Sequence, residues 1–191
     1  LLGKIDRIDE CGDYFRIIDY KSGRTGNILK QLYYGEKLQL FLYQRIVKNN
    51  LSKIPAGVFY FNARLDYLKS NEEKVLLNGL ASANDEVLEL LDKDIESRSS
   101  PIVSLYKSKK GEFKGSVIAK ESLGVYEDYA YSVARQGIAE IKEGYIEPKP
   151  NENSCDHCQF ASICLYEKLG GVRGDLKVGE FKEILKDEAN R

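Results

Sequence analysis

Two acids and a lysine, Asp6, Asp19 and Lys21, lie in a stretch that otherwise has the pattern of a β-hairpin, residues 3–23. Residues 2–9 and 14–21 alternate as strands, and Gly12-Asp13 between them fits a two-residue type II′ turn. In that register Asp6 faces Asp19 across the hairpin. Lys21 shares their face, because side chains two apart on a strand point to the same side.

Opposed carboxylates repel each other unless a cation lies between them. A hard divalent ion such as Mg²⁺ accepts two carboxylates, and water and substrate phosphate complete its coordination. An amine beside that ion, here Lys21, would steady an attacking water or the charge that develops on a phosphate. The alternative is that the acids only face solvent, since acids near hairpin turns commonly do and Asp-x-Lys also arises by chance.

Three cysteines near the C-terminal end form a second candidate site. Cys155, Cys158 and Cys164 have the spacing C-x2-C-x5-C. Thiolates two residues apart can reach one metal from a tight turn, as in zinc and iron–sulfur sites. Cys11 or His157 could act as a fourth ligand, a disulfide between Cys155 and Cys158 is the poorer interpretation, and free cysteines can also be small buried apolar residues.

Hydrophobic periodicity predicts the elements that must position these residues. Helices are predicted over 36–48, 84–96 and 122–143, a buried strand over 54–63, a basic hairpin or loop over 106–117, and a last short helix over 178–188. Residues 64–80 are polar and irregular and are predicted to be a mobile loop. The mixture predicts an α/β fold with helices around a mixed β-sheet.

The composition is that of an ordinary globular protein. The 191 residues are 42% hydrophobic and 31% charged, with a formal net charge of −1, so no strong overall field indicates a nucleic-acid or membrane partner. No apolar run approaches the roughly 20 residues of a membrane helix, and a cytoplasmic location is expected. The chain begins at Leu1 and has no Met, so we interpret it as an excised domain.

"GKIDRID", then "DYKSG", then Gln39 and Tyr43 in a Q-x-x-x-Y pattern resemble the RecB-type branch of the PD-(D/E)XK nucleases. The resemblance implies a restriction-endonuclease-like core. It also implies that Asp6, Asp19 and the Tyr20 carbonyl bind Mg²⁺ or Mn²⁺, that Lys21 is catalytic, and that Gln39 and Tyr43 organise the site. Such nucleases often add a His or Glu ligand from a helix before the hairpin, and this sequence has nothing before Leu1.

The cysteine pattern after such a core resembles the iron–sulfur nuclease domain of the AddB family of helicase–nuclease subunits. It implies a [4Fe–4S] cluster on the three cysteines of the C-x2-C-x5-C pattern, incomplete in this chain because the family's fourth cysteine lies far upstream of the core. The implied domains are a nuclease core over 1–149, a cysteine segment over 150–170 and a tail helix over 171–191.

The function that the resemblance implies is Mg²⁺-dependent cleavage of DNA delivered by an AddA-like helicase subunit, during the processing of double-strand breaks. Two alternatives stay open: a CRISPR-associated RecB-like nuclease, which shares the same elements, and a non-catalytic scaffold that holds DNA or the partner. A basic segment is a candidate for DNA backbone contacts; its lysines are Lys107, Lys109, Lys110 and Lys114.

Overall fold

A mixed five-stranded sheet forms the centre of the protein. The computed structural model describes residues 2–23, 25–63, 77–95, 99–151, 154–164, 166 and 180–181. The strands are β1 (Arg7–Cys11), β2 (Tyr14–Lys21), β3 (Ile54–Asn62), β4 (Leu77–Ser82), β5 (Leu105–Lys107), β6 (Phe113–Gly115) and β7 (Val117–Ile118). The central sheet has the strand order β1-β2-β3-β4-β7. The helices are α1 (Ile28–Tyr33), α2 (Gln39–Leu51), α3 (Asp85–Leu91), α4 (Ser122–Lys142) and α5 (Ala161–Cys164). The predicted α/β fold with helices around a mixed sheet is confirmed.

The first hairpin has the predicted register. Cys11 pairs with Tyr14, and Ile8 pairs with Ile17. Gly12 has a φ of 55°, which matches the first central position of the predicted type II′ turn and is a conformation open to glycine. The β1–β2 ladder ends at the pair Arg7 and Ile18, so Asp6 lies in a bend one residue before β1 rather than within the strand.

Strand β2 is the central positioning element, because it is antiparallel to β1 on one side and parallel to β3 on the other. The β2–β3 register shifts by one residue near its start. Phe15 pairs with Pro55 but Arg16 pairs with Gly57, so Ala56 is an extra residue on β3. Beyond the shift, Asp19 is directly beside Tyr60.

Each sheet face has its own hydrophobic core. Odd-numbered β2 residues such as Phe15 and Ile17 pack against α1, α2 and α4, whereas Ile18 packs against α3 and the β5–β6 region. Asp19 and Lys21 are in phase with Ile17, so they lie on the face that α2 covers. The short β5–β6 hairpin confirms the prediction for residues 106–117, and Lys109 and Lys110 are exposed at its tip.

The predicted helices are present with shifted ends. The helix predicted over 36–48 is α2, and the one predicted over 84–96 is α3, which ends at Leu91. The side chain of Asn84 caps α3 by accepting a hydrogen bond from the Glu86 N–H. The long helix α4 matches the predicted bounds closely.

Two parts of the chain differ from the sequence-based expectation or fall outside the structure described. The prediction of a loop over 64–80 is wrong at its end, because strand β4 begins at Leu77. Residues 64–76 lie outside the described residues.

The sequence pattern does not predict helix α1. Of the predicted helix over 178–188, only Glu180 and Phe181 are described, both helical. None of the helices in the described ranges has the length and apolar content needed to cross a bilayer.

Candidate functional site

The first element of the site is a buried ion pair on β2. Asp19 is only 2% exposed, and its Oδ2 atom lies 2.5 Å from Lys21 Nζ. Both residues lie on the α2 face of the sheet. The side chain of Lys21 is 32% exposed, so part of it faces solvent. The sequence-predicted pair Asp19 and Lys21 is therefore brought together.

Helix α2 continues this pair into a relay of hydrogen bonds. Lys21 Nζ donates to Gln39 Oε1 (3.2 Å), and Gln39 Nε2 donates to the Tyr43 hydroxyl (2.9 Å). The Tyr43 hydroxyl in turn donates to the carbonyl oxygen of Lys4 (2.8 Å). The two residues of the Q-x-x-x-Y pattern lie one turn apart on the same face of α2. Because these hydrogen bonds run from α2 to the Lys21 ammonium, α2 restrains the position of that group.

Asp6 is held at the edge of β2 from the bend before β1. Its Oδ2 atom accepts a hydrogen bond from the Tyr20 N–H (3.0 Å). The Lys21 carbonyl accepts from the Ala63 N–H on the β3 side. Since backbone groups of successive strand residues point to opposite edges, the Tyr20 N–H and carbonyl both point toward β1. Asp6 and the Tyr20 carbonyl therefore lie at one edge of β2. Asp19 is the residue directly before Tyr20 on the same strand.

Tyr60 on β3 is a site residue that the sequence did not single out. Lys21 Nζ and Lys37 Nζ each lie 5.5 Å from the centroid of its ring. Burial, followed by the negative charge of Asp19, raises the pKa of Tyr60 to about 12. Its hydroxyl consequently stays protonated throughout the neutral range, and the ring offers its electron-rich face to ammonium groups.

The oxygen donors at this edge of the sheet suit a hard divalent ion. Asp19 Oδ2 is buried and accepts no hydrogen bond of normal geometry from the described residues, although Lys21 is its ionic neighbour. An ionised carboxylate has capacity for several partners, so this oxygen can accept a further ligand. Two carboxylates and the Tyr20 carbonyl are the kind of partial set that Mg²⁺ completes with water and phosphate. The residues present therefore fit Mg²⁺ or Mn²⁺, with no geometry of coordination implied.

The cysteine segment does not form a comparable site. Cys155 is half-buried, Cys158 and Cys164 are exposed, and none is in a disulfide. Cys164 ends the short helix α5, while Cys11 is exposed at the tip of the first hairpin. Among the described residues, no group of three or more His, Cys, Asp or Glu side chains is placed to hold a metal ion. The described residues thus do not fit the [4Fe–4S] cluster that the sequence resemblance implied, and that prediction has no structural support.

Comparison with known proteins identifies a nuclease family. Residues 1–165 match the profile of the PD-(D/E)XK nuclease superfamily. An ATP-dependent helicase/deoxyribonuclease subunit from Bacillus thuringiensis (strain Al Hakam) is 30% identical over 98% of this chain and 19% of its own length. The subunit of the same name from Lachnoclostridium phytofermentans is 34% identical over 90% of this chain and 18% of its own length.

These curated relatives are long proteins, and the chain spans less than a fifth of the length of each. The family match nevertheless covers the hairpin, the α2 relay and the whole central sheet. It confirms the resemblance drawn from "GKIDRID", "DYKSG" and the Q-x-x-x-Y pattern. The chain belongs to the PD-(D/E)XK nuclease superfamily.

Proposed function

We propose that this chain is a metal-dependent deoxyribonuclease domain that hydrolyses phosphodiester bonds. The observation that carries the proposal is the contact of the buried Asp19 carboxylate with Lys21, whose ammonium is also held by Gln39. A buried acid, an oriented amine and a second carboxylate beside the same strand are the groups that metal-assisted phosphate hydrolysis uses. Membership of a nuclease superfamily supports the same reaction class.

In the proposed reaction Asp6, Asp19 and the Tyr20 carbonyl would hold Mg²⁺ or Mn²⁺. The bound ion would supply Lewis-acid polarisation of the phosphate. Lys21 has three N–H donors, of which the structure commits one to Gln39 and sets another toward Asp19. The remaining N–H would face the attacking water or a phosphate oxygen, where it offsets developing negative charge.

Gln39 and Tyr43 would act as positioning residues. Gln39 fixes the direction of the Lys21 ammonium, and Tyr43 fixes Gln39 through the next hydrogen bond. Because Tyr43 also binds the Lys4 carbonyl, two residues before Asp6, the same helix sets the positions of the amine and of the first acid. This shared support favours a joint role for the two helix residues.

The wider setting of the proposal follows the relatives. Their shared name combines helicase and deoxyribonuclease activities, so we propose that this domain cleaves DNA delivered by an AddA-like helicase subunit in the processing of double-strand breaks. The names favour this setting over a CRISPR-associated nuclease. We retain the domain division of a core over 1–149, a cysteine segment over 150–170 and a tail over 171–191. The basic β5–β6 hairpin is a proposed contact for the DNA backbone.

The test is cleavage of a labelled linear DNA by the 191-residue chain, with Mg²⁺ and with chelator, in wild type and in the variants Asp19→Asn and Lys21→Gln. We expect chelator to abolish cleavage, Asp19→Asn to reduce it to background, and Lys21→Gln to slow it by about 10²–10³-fold. The matched control is Lys142→Gln, which removes the same charge from the exposed end of α4.

Circular dichroism of each variant separates a lost reaction from lost folding. Unchanged cleavage in both folded site variants would reject the catalytic proposal and leave the alternative of a scaffold that only holds DNA or a partner subunit.

A further inference from the structure

Lys37 is a second cationic side chain at the site, and it has no role in the reaction proposed above. It lies two residues before α2 in the segment that joins α1 to α2, and it is partly exposed. Its Nζ atom is 5.5 Å from the Tyr60 ring centroid. Within the part of the chain that the structure describes, it forms no ion pair with a carboxylate. This differs from Lys21, which is committed to Asp19 and Gln39.

The contact with Tyr60 restrains the Lys37 ammonium without neutralising it. A cation on an aromatic face gains only a small stabilisation at a partly exposed position, whereas a charge-assisted hydrogen bond to a phosphate is among the stronger polar contacts. Nothing in the ring accepts the ammonium hydrogens in the way an oxygen does. The ring therefore localises a positive charge whose hydrogen-bonding capacity is still available.

The common ring also limits the distance between the two ammonium groups. Since Lys21 Nζ and Lys37 Nζ each lie 5.5 Å from the same centroid, they are at most 11 Å apart (twice 5.5 Å). Along a stacked strand successive phosphates advance by about 3.4 Å of helix axis. Because the strand also winds around that axis, neighbouring phosphates lie farther apart than this rise, so two cations this close reach phosphates at most about three nucleotides apart on one strand.

We propose that Lys37 binds a phosphate neighbouring the scissile one and so fixes the strand in the site, with Tyr60 as the platform that holds its ammonium group in place. Lys37 is a positioning residue in this scheme, and its ligand is the backbone of a single nucleic-acid strand. The inference rests on the proposed function, and it deepens it by adding a second phosphate contact beside the one made at Lys21.

A binding experiment without cleavage tests the proposal directly. The probe is a fluorescently labelled single-stranded DNA, and its affinity is measured by anisotropy in chelator over a series of NaCl concentrations. For Lys37→Gln we expect weaker binding and a slope of log affinity against log salt that is smaller by about 0.7, the loss of one single-strand phosphate contact. Lys37→Arg should retain the slope, and Lys142→Gln should match wild type.

A kinetic experiment separates positioning from chemistry. With Mg²⁺ present, Lys37→Gln should raise KM several-fold and leave kcat within about twofold, whereas Lys21→Gln should mainly lower kcat. A salt slope and KM equal to wild type for Lys37→Gln overturn the inference, since a lysine that only packs on Tyr60 gives that result.

The two proposals fail in different ways. If Asp19→Asn still abolishes cleavage while Lys37→Gln behaves as wild type, the nuclease function stands and the Lys37 inference falls. If Asp19→Asn leaves cleavage unchanged, the proposed function itself falls, whatever Lys37 does.

Discussion

The hydroxyl of Tyr43 donates a 2.8 Å hydrogen bond to the carbonyl oxygen of Lys4, which joins helix α2 to the segment that carries Asp6. The two residues are 39 positions apart in sequence. The segment also passes close to the same ring, because a Cβ atom added to Gly3 would lie 2.9 Å from the Tyr43 oxygen. Tyr43 therefore helps to hold the segment that carries Asp6 at the edge of β2, and Gln39 links the same tyrosine to the ion pair of Asp19 and Lys21.

Tyr43→Phe tests this linkage. The variant loses its hydrogen bonds with Gln39 and Lys4 but keeps the ring, so Asp6 loses an anchor while the core stays packed. We expect the Mg²⁺ concentration for half-maximal cleavage to rise by about 10-fold, in line with the loss of a supporting contact at a metal site. Titration of cleavage rate with Mg²⁺ measures the effect. The matched control is Tyr129→Phe, whose hydroxyl binds the Tyr33 carbonyl away from the site, and an equal rise in that variant would contradict the explanation.

Gly3→Ala should disturb the same linkage from the other side. The added methyl group would be 2.9 Å from the Tyr43 oxygen and 3.0 Å from its Cε1 atom, so the segment or the ring has to move. We expect a higher Mg²⁺ requirement in the same direction as for Tyr43→Phe. At Gly23 the same substitution meets nothing within 4 Å, so Gly23→Ala should behave as wild type. Identical Mg²⁺ titration curves for the two alanine variants would show that the close contact between Gly3 and Tyr43 does not affect the Mg²⁺ requirement.

Tyr60→Phe should change the response to alkaline pH. The pKa of Tyr60 is raised to about 12 from an ordinary value of 10.0, first by burial and then by the charge of Asp19. The folded protein therefore holds the phenol proton more tightly than the unfolded chain does. The tighter binding of this proton stabilises the folded state. The stabilisation is fully present below pH 10 and is lost as the pH rises toward 12, which lowers the free energy of unfolding by about 2–3 kcal/mol.

Urea unfolding at pH 9 and pH 11.5 measures that difference. The free energy of unfolding should fall less between the two pH values in Tyr60→Phe than in wild type, because the variant has no phenol to titrate at this position. An equal decrease in both proteins would mean that Tyr60 does not contribute to alkaline unfolding.

Glu127 on α4 should be a structural link to the helix that carries Gln39 and Tyr43. It is 2% exposed, its Oε2 accepts from Gln44 Nε2 (2.9 Å), and Arg45 and Lys48 each place a nitrogen 3.5 Å from its Oε1. Glu127→Ala leaves a buried amide without this acceptor, and we expect a loss of about 1–3 kcal/mol in the free energy of unfolding. The neighbouring Asp128 is 75% exposed at its side chain, so Asp128→Ala should cost at most about 1 kcal/mol. Chemical denaturation of the two variants decides between them.

Local sequence signals were sufficient for the first hairpin and for much of the helical framework. The turn at Gly12 and the alternation on each side fixed the register, and the periodicity of Leu38, Phe41 and Leu42 indicated α2. The predicted pair Asp19 and Lys21 lie together in the structure, and Gln39 of the Q-x-x-x-Y pattern contacts Lys21. The roles of these residues stay predictions until the variants above are measured.

The rest of the site depends on pairing between distant segments, which local pattern does not encode. Tyr60 reaches Asp19 through a parallel ladder whose register shifts, and Lys37 reaches Tyr60 through the path of the α1–α2 connection. The one sequence feature that could have indicated Lys37 as a site residue is its position in "EKLQLFLY", two residues before Gln39. Short strands such as β4, which begins at Leu77 and is buried at five of its six residues, also lack a clear period of their own. For the cysteines, spacing alone suggested a cluster, but spacing does not specify that the thiols converge.

The extra residue Ala56 makes the surroundings of the acid depend on how the start of β3 pairs with β2. A regular ladder that kept Ala56 would place Phe59 beside Asp19 and turn the Tyr60 ring to the opposite sheet face. Every proposed ligand would still be present in the sequence, yet the surroundings of the acid would be apolar and the platform for Lys37 would be gone. Deletion of Ala56 would instead allow a regular ladder that keeps Tyr60 beside Asp19. Related chains that retain a residue here but pair without the shift would therefore be expected to lose the tyrosine–lysine contact even where all their acidic and basic residues are identical.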